Sequence, residues 1–393
     1  MVPVASVTVV PPPTAPVFFN PAASLNRDVT VAITSAAGGG TFCDAMAGVG
    51  ARGIRAANEV GSMSEVSLVD FNDLALGLAR RSASLNRVRG RCSFSVSETS
   101  SYLHSRFGRD QRFDFVDLDP FGSPVRQIQA GLSATAEGGV LSVTATDTAV
   151  LCGVHRSTCV RRYGSTSINN HFHHETGVRI LLAALAKRGG AGDVGVEPLA
   201  AHSTRHYIRV FVRVKPGAAA ADASLGELGH ISWCPACGDV QECEAASTAC
   251  SACGRRTRVA GPLWTGEVSD ESLVEAARED ALERGLAKAA GVLGGLLGSN
   301  RFPPWSFDID RICSGLGVPT VSEAAVNGAL ARAGHRAMRT PFEKTGVKTD
   351  ASFTEVVRAV EEAEREGARG ALRASGLRSS NRAPSSRSGS RRA

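Results

Sequence analysis

The sequence predicts a doubly wound α/β domain followed by a smaller α+β domain. Three observations point to it: apolar strand runs alternate with helical stretches from residue 41 to about 216, glycines crowd the turn after the first strand, and acids stand at successive strand ends. With 393 residues the chain is long enough for two or three domains that each bury a core.

The first unit, TFCDAMAGVGARGIRAANEV, has a short strand at 41–44, a tight turn through Gly48 and Gly50, and a helix starting near Ala51. A second strand at 65–69 ends on Asp70 and leads into a helix with Leu74, Leu78 and Leu85 broadly on one side. A third at 92–96 runs into Glu98 and Thr99, and a fourth at 113–118 runs into the proline-stiffened loop DPFG. Strands at 140–144, 195–200 and 207–214 complete a sheet of about seven. Between the fifth and sixth, HHETGVRILLAALAKRGG reads as a helix, with Glu175 near its start and Gly189 as its stop.

Outside this domain, residues 1–37 read as an N-terminal extension whose polar cluster Asn26, Arg27 and Asp28 contributes to the cofactor site. The first domain spans 38–216 and the second 217–366, opening on GAAAADASLGEL as a low-complexity linker and holding a cysteine module at 230–262. Residues 270–298 begin as an amphipathic helix, and 336–367 read as a strand-and-helix unit. From 367 to 393 the composition falls to Ser, Arg, Gly and Ala with seven arginines and no acid, which predicts a disordered basic tail.

Bulk composition narrows the setting. A net charge of +6 permits a polyanionic partner without requiring one. Ten cysteines are too few for a disulfide scaffold, so a reducing cytoplasmic location is expected. No run of eighteen apolar residues occurs, and the chain is expected to act away from membranes, as a monomer.

In an open α/β sheet, ligands bind beyond the carboxyl ends of the strands. Those ends carry Asp44 with Gly48 and Gly50, then Asp70, Glu98 and Asp119. Asp70, twenty residues past Gly50, is placed to accept hydrogen bonds from both ribose hydroxyls of an adenosine cofactor, which suits NAD as well as S-adenosylmethionine. The turn DAMAGVG lacks the first glycine of a dinucleotide fingerprint, and Asp44 would repel a pyrophosphate while suiting the cationic methionyl end of S-adenosylmethionine. Another nucleotide, or glycines that serve only close packing, are the alternatives.

The loop DLDPFG is the sharpest chemical signal. An exocyclic aromatic amine is a weak nucleophile because its lone pair is delocalised into the base. Asp119 and the carbonyl of Pro120 could each accept one of its hydrogens, holding the nitrogen in line with a sulfonium methyl and steadying the charge that develops. Asp119 could then take the proton. Phe121 would stack on the base, which must be unpaired or extruded to reach such a pocket. Asp117 should face the same side as Asp119, as a structural acid. The plain alternative is a turn in which Asp119 acts as a local cap and Phe121 joins the core.

Taken together, VFFNPAASLNRD (17–28), DAMAGVGARGIR (44–55), DLDPFGSP (117–124), RRYG (161–164), HHETGVRILL (173–182), GPLWTGE (261–267) and KTGVKTD (344–350) resemble the tRNA (guanine-26-N2)-dimethyltransferase family of archaea and eukaryotes. The resemblance implies a class I S-adenosylmethionine-dependent, Rossmann-like methyltransferase domain and a family-specific C-terminal domain. It implies transfer of one and then a second methyl to N2 of guanosine 26 in tRNA. By this likeness Asp119 is the catalytic aspartate, Phe121 the base-stacking aromatic, and Arg27, Arg52, Asp70, Glu98 and Thr99 stand at cofactor-contact positions. The chain departs from the family pattern at Glu98-Thr99, where Asp-Ala is usual, and at Ser82, where Asn is common. An amino-methyltransferase acting on another base of rRNA or DNA, and a non-catalytic RNA-binding relative, are the competing readings.

Cys234-x2-Cys237 and Cys250-x2-Cys253, twelve residues apart and each followed by glycine, predict a closed, tetrahedral structural zinc site. Arg255, Arg256 and Arg258 after the second knuckle, with Arg205, Arg209 and Arg213, are expected to form a phosphate-binding track. His171, His173 and His174 precede a helix and are read as structural or RNA-facing, because no acid pattern beside them in the chain supports a metal.

Overall fold

The computed structural model describes residues 2–11, 17–204, 206–244, 249–343 and 345–379. An antiparallel hairpin, β1 (Val2–Val4) and β2 (Val7–Val9), opens the chain. Then follow α1 (Ser24–Ala36), β3 (Gly40–Asp44), α2 (Ala51–Glu59), β4 (Met63–Asp70), α3 (Asp73–Leu85), β5 (Cys92–Val96), α4 (Thr99–Phe107) and β6 (Phe113–Leu118). After these come α5 (Ile128–Ala134), β7 (Thr135–Ala145), α6 (Thr148–Leu151), α7 (Arg156–Tyr163), α8 (His173–Gly190), β8 (Val194–Ser203) and β9 (Ile208–Pro216).

Strands β3 to β9 form one sheet in the order β5-β4-β3-β6-β7-β9-β8, parallel except for β9, which runs antiparallel to both neighbours. All seven strands expected from the sequence are present. The order reverses between β3 and β6, which pair with Asp44 opposite Asp117. This switch point is where strand-end loops diverge and leave a crevice for ligand. Beneath it the core stacks Phe42 on Phe115 at 4.9 Å between centroids, and Phe115 packs edge-on against Phe211.

The hairpin is anchored by polar bonds to α3: Thr8 N–H donates to Asn86 Oδ1 at 2.8 Å and Val10 N–H to the Ser82 hydroxyl at 2.9 Å. The Ser82 side chain is therefore used by the chain's own N-terminus.

One expectation is overturned outright. Residues 218–226 form α9 (Ala218–Gly226), not a linker; Ser224 bridges both backbone groups of Val196 on β8, and Ala221 is buried. Alanine repetition is low in complexity but is also the best helix-forming composition, and small side chains let the helix lie close on the sheet.

The cysteine module is a three-stranded antiparallel sheet of β10 (Leu228–Trp233), β11 (Val240–Cys243) and β12 (Arg258–Trp264), with β10 central. Next, α10 (Glu271–Glu283) and α11 (Ala287–Leu296) return to pack on α1, where Ser35 donates to Asp280 at 2.7 Å. The chain then adds β13 (Phe307–Asp308), α12 (Ile309–Leu316), α13 (Glu323–Arg332), β14 (Ala337–Arg339), β15 (Gly346–Thr349) and α14 (Phe353–Ser379). Helix α14 continues past residue 367, so the start of the expected irregular tail is helical, and 380–393 lie outside the described residues. No described helix is long and apolar enough to cross a membrane.

The C-terminal unit is joined to the large domain by a buried ion cluster. Lys348 on β15 donates to Glu175 Oε1 at 2.7 Å and to the carbonyls of Pro303 and Trp305, while Arg179 holds the same Glu175 oxygen at 2.9 Å. Glu175, expected only as a helix-start acid, is fully buried here.

Candidate active site and zinc knuckle

At the end of β3 the chain turns through Gly48 and Gly50, both at positive φ, before entering α2. A Cβ on Gly50 would lie 2.8 Å from Leu68 Cδ2, so this glycine serves close packing as well as the turn. Gly48 N–H donates to Asp70 Oδ2 at 2.8 Å and Asn72 N–H to its Oδ1 at 2.9 Å. These bonds fix the Asp70 carboxylate at the end of β4 and leave each oxygen a lone pair for a ligand hydroxyl.

Asp44 is buried and accepts the Gly53 N–H at 2.9 Å. Burial, with the Asp117 carboxylate beside it, pushes its pKa up to about 7. Asp117 lies on the same side as Asp119, as strand alternation requires, and the two are bridged by one guanidinium. Arg52 Nη1 donates to Asp117 at 2.6 Å and Nη2 to Asp119. The other Asp117 oxygen accepts from Arg209, which also reaches the hydroxyls of Thr144 and Thr30. Burial opposes ionisation of Asp117, but Arg209 and Arg52 hold its pKa below the usual carboxylate value.

Arg52, expected at a cofactor-contact position, places one terminal nitrogen on each acid of the pair. One expectation changes with this network. Arg209, assigned to the phosphate track, is fully buried beneath the site and cannot meet a phosphate. Arg213 lies 3.9 Å from both Glu197 and Asp270, Arg205 falls outside the described residues, and Arg255, Arg256 and Arg258 are exposed.

Beyond the acid pair, the Asp119 side chain is 30% exposed whereas that of Asp117 is wholly buried, so only Asp119 can meet a substrate. Pro120 is buried, but Phe121 is 77% exposed, which removes the reading of it as a core residue. Its ring meets Phe18, itself largely exposed, edge to face with centroids 4.9 Å apart. Phe18 was not singled out from sequence; the signal was two adjacent phenylalanines in a proline-bounded extension. Gly122 exchanges bonds with Thr146, and Asp147 accepts from Tyr163 at 2.6 Å and Arg162 at 2.9 Å, so α7 is stapled beneath the loop.

The other positions expected to contact the cofactor stand on α1 and at the start of α4. Arg27 is buried, donates to the carbonyls of Asn20 and Pro21 at 3.1 Å, and lies over the Phe19 ring, which holds the Phe18 segment in place. Burial and the nearby Arg52 bring its pKa down to about 10. Thr99 Oγ1 donates to the Ala45 carbonyl at 2.9 Å, tying α4 to the end of β3. Glu98 is exposed and caps α4 by accepting Ser101 N–H at 2.8 Å. Burial opposes its ionisation, but hydrogen bonds from Ser100 and Ser101 together lower its pKa.

In the cysteine module, Cys234 Sγ lies 3.6 Å from Cys253 Sγ, and Cys237 Sγ lies 3.6 Å from Cys250 Sγ. A disulfide would need about 2.05 Å, whereas tetrahedral zinc with Zn–S near 2.3 Å places its sulfurs about 3.8 Å apart. The four thiols cluster as one group, and they fit a closed structural zinc.

A sheet of this order, with acids converging at its switch point, defines a Rossmann-like fold with a nucleotide-cofactor crevice. The family described as N2,N2-dimethylguanosine tRNA methyltransferase (TRM) matches residues 2–361. The chain belongs to this family. It is 34% identical over 370 residues to the tRNA (guanine(26)-N(2))-dimethyltransferase of Methanosarcina acetivorans, covering 89% of this chain and 93% of the relative. It is 36% identical to that of Natronomonas pharaonis, covering 88% and 93%. Among solved structures, the complex of Trm1 from Pyrococcus horikoshii with S-adenosyl-L-methionine superposes with a TM-score of 0.81 at 28% identity, covering 91% of this chain and 98% of that one.

Proposed function

We propose that this protein transfers methyl groups from S-adenosylmethionine to the exocyclic N2 of guanosine 26 in tRNA, giving N2-methyl- and then N2,N2-dimethylguanosine. One observation carries the reading: Asp119 stands at the sheet's switch point, held by Arg52 and half-open beside an exposed pair of aromatic rings.

When bound, the cofactor supplies an electrophilic methyl on a sulfonium. The protein's part is to position the amine. Arg52 fixes one Asp119 oxygen and leaves the other to accept an amino hydrogen; the Pro120 carbonyl accepts the second. As the nitrogen attacks, it becomes cationic, and Asp119 stabilises that charge and then receives the proton. Phe121 and Phe18 offer faces for a base extruded from the tRNA stem. Asp70 takes the ribose hydroxyls, and Asp44 with the Gly48–Gly50 turn faces the methionyl end; Glu98 and Thr99 border the adenine, and Arg27 braces the wall over it. Exposed Arg156 and Arg161 on α7, beside the loop, suit the flanking phosphates. We place this activity in the cytoplasm, in a monomer.

The test is mass spectrometry of nucleosides from unmodified tRNA incubated with protein and isotopically labelled methyl donor. Labelled mono- and then dimethylguanosine is expected, and neither should form in tRNA carrying adenosine at position 26. Label in rRNA or DNA with none in tRNA would favour an amino-methyltransferase of other substrate. In the same assay, Phe18→Leu and Phe121→Leu should each lower kcat/KM for tRNA roughly 5- to 150-fold, the worth of about 1–3 kcal/mol of base stacking. Cofactor affinity should hold.

A further inference from the structure

We propose a second metal site, for zinc or a zinc-like divalent cation, formed by Cys152, His173 and His174. Cys152 is the C-cap residue just after α6, and the two histidines begin α8, more than twenty residues later. One ligand atom from each lies within 4.8 Å of the others. Tetrahedral zinc with two nitrogens and one sulfur holds those atoms about 3.3–3.6 Å apart, so side-chain movement of about 1–1.5 Å closes the set.

The surroundings are those of metal-ligating histidines. Such a histidine donates its second ring N–H to a carbonyl or carboxylate, which fixes the tautomer and aims the free nitrogen at the ion. Here both do. His173 Nδ1 is 2.5 Å from the Asn170 carbonyl, and His174 Nδ1 is 2.7 Å from Glu343 Oε2. Each contact requires the proton on Nδ1 and leaves Nε2 with its lone pair. Glu343 is itself fixed, because its other oxygen accepts the His174 backbone N–H at 3.3 Å. The two imidazole centroids stand 4.2 Å apart with planes at 40°.

The Cys152 thiolate and the Glu343 carboxylate together offset the charge of a divalent cation, against which the Arg311 guanidinium near His173 acts. The thiol proton leaves to solvent as the sulfur binds. His171, the third histidine of the run, takes no part; its ring packs among Trp233, Phe307 and Phe353.

With three protein ligands, a fourth position remains for water. The ion would join the segment after β7, which carries Asp147 and abuts the catalytic loop, to α8, and through Glu343 to the C-terminal unit between β14 and β15. It is distinct from the four-cysteine knuckle, and the proposal does not depend on the methyl-transfer reading.

The test is the zinc content of the purified full-length protein, by mass spectrometry of the metal. Wild type should hold two equivalents per chain. Cys152→Ala and His174→Gln should each hold one, as should Cys250→Ser, which disables the knuckle instead. Cobalt offers a readout without any variant: the second equivalent should show weaker thiolate-to-metal absorption than the first, since it has one sulfur in place of four. One equivalent in wild type that Cys152→Ala leaves untouched and Cys250→Ser removes overturns the proposal, as does a cobalt titration that saturates at a single four-sulfur spectrum.

Discussion

Asp119→Ala should reduce the rate of methyl transfer in single-turnover assays by about 100- to 10,000-fold, the combined range of a lost charge-stabilising acceptor and a lost proton acceptor. The tertiary structure explains why the fold should survive. Arg52 loses one partner but keeps Asp117 at 2.6 Å, so no cation is orphaned in the interior. Cofactor affinity, measured by calorimetry, should stay within about threefold, because the donors and acceptors at Asp70 and the glycine turn are untouched. Asp119→Asn keeps one acceptor oxygen in place and should fall between the two. Turnover within a factor of two of wild type in the alanine variant would remove Asp119 from the reaction.

Asp117→Ala should be the most destabilising single change at the site, lowering unfolding free energy by about 3–5 kcal/mol, the range for breaking a buried ion pair from one side. Both its oxygens are taken by guanidinium groups, from Arg52 and Arg209, and neither cation has bulk water to turn to. Urea denaturation should show the loss as an earlier midpoint. Adding Arg209→Met should recover part of it, since removing both members of a buried pair costs less than removing one. Equal stability of Asp117→Ala and wild type would mean that solvent reaches the pair.

The same cluster gives the protein two opposed pH dependences. Asp117 has a folded pKa below its unfolded value, so its contribution is present above about pH 4 and is lost as pH falls through the folded pKa. Asp44 has a folded pKa raised to about 7, so its contribution is complete in acid and is lost as pH rises toward neutrality. Asp44→Asn should flatten the neutral limb of the stability curve and leave the acid limb in place.

Much of the site was legible because it is written in contiguous residues. Strand runs, turn glycines and helix starts act over a few positions, and all seven sheet strands appear where those patterns put them. The DPF loop, the acids at strand ends and the paired CxxC knuckles are likewise local, and each falls at a strand end or turn. The linker was misread because an alanine-rich stretch is compatible with both a spacer and a packed helix, and only the face of β8 it covers distinguishes them.

By itself the sequence determined the order of secondary structure, the chemical loop, the family and the four thiols. Tertiary structure alone decided which charges meet. It paired β3 with β6, setting Asp44 opposite Asp117, buried Arg209 under the acids, brought Phe18 to Phe121 across a hundred residues, and set Cys152 beside His173 and His174. The physical reason is that an element's type depends on neighbours in the chain, whereas a polar side chain's role depends on its partner and its access to water. Both of those are fixed by strand pairing and packing between residues far apart in sequence.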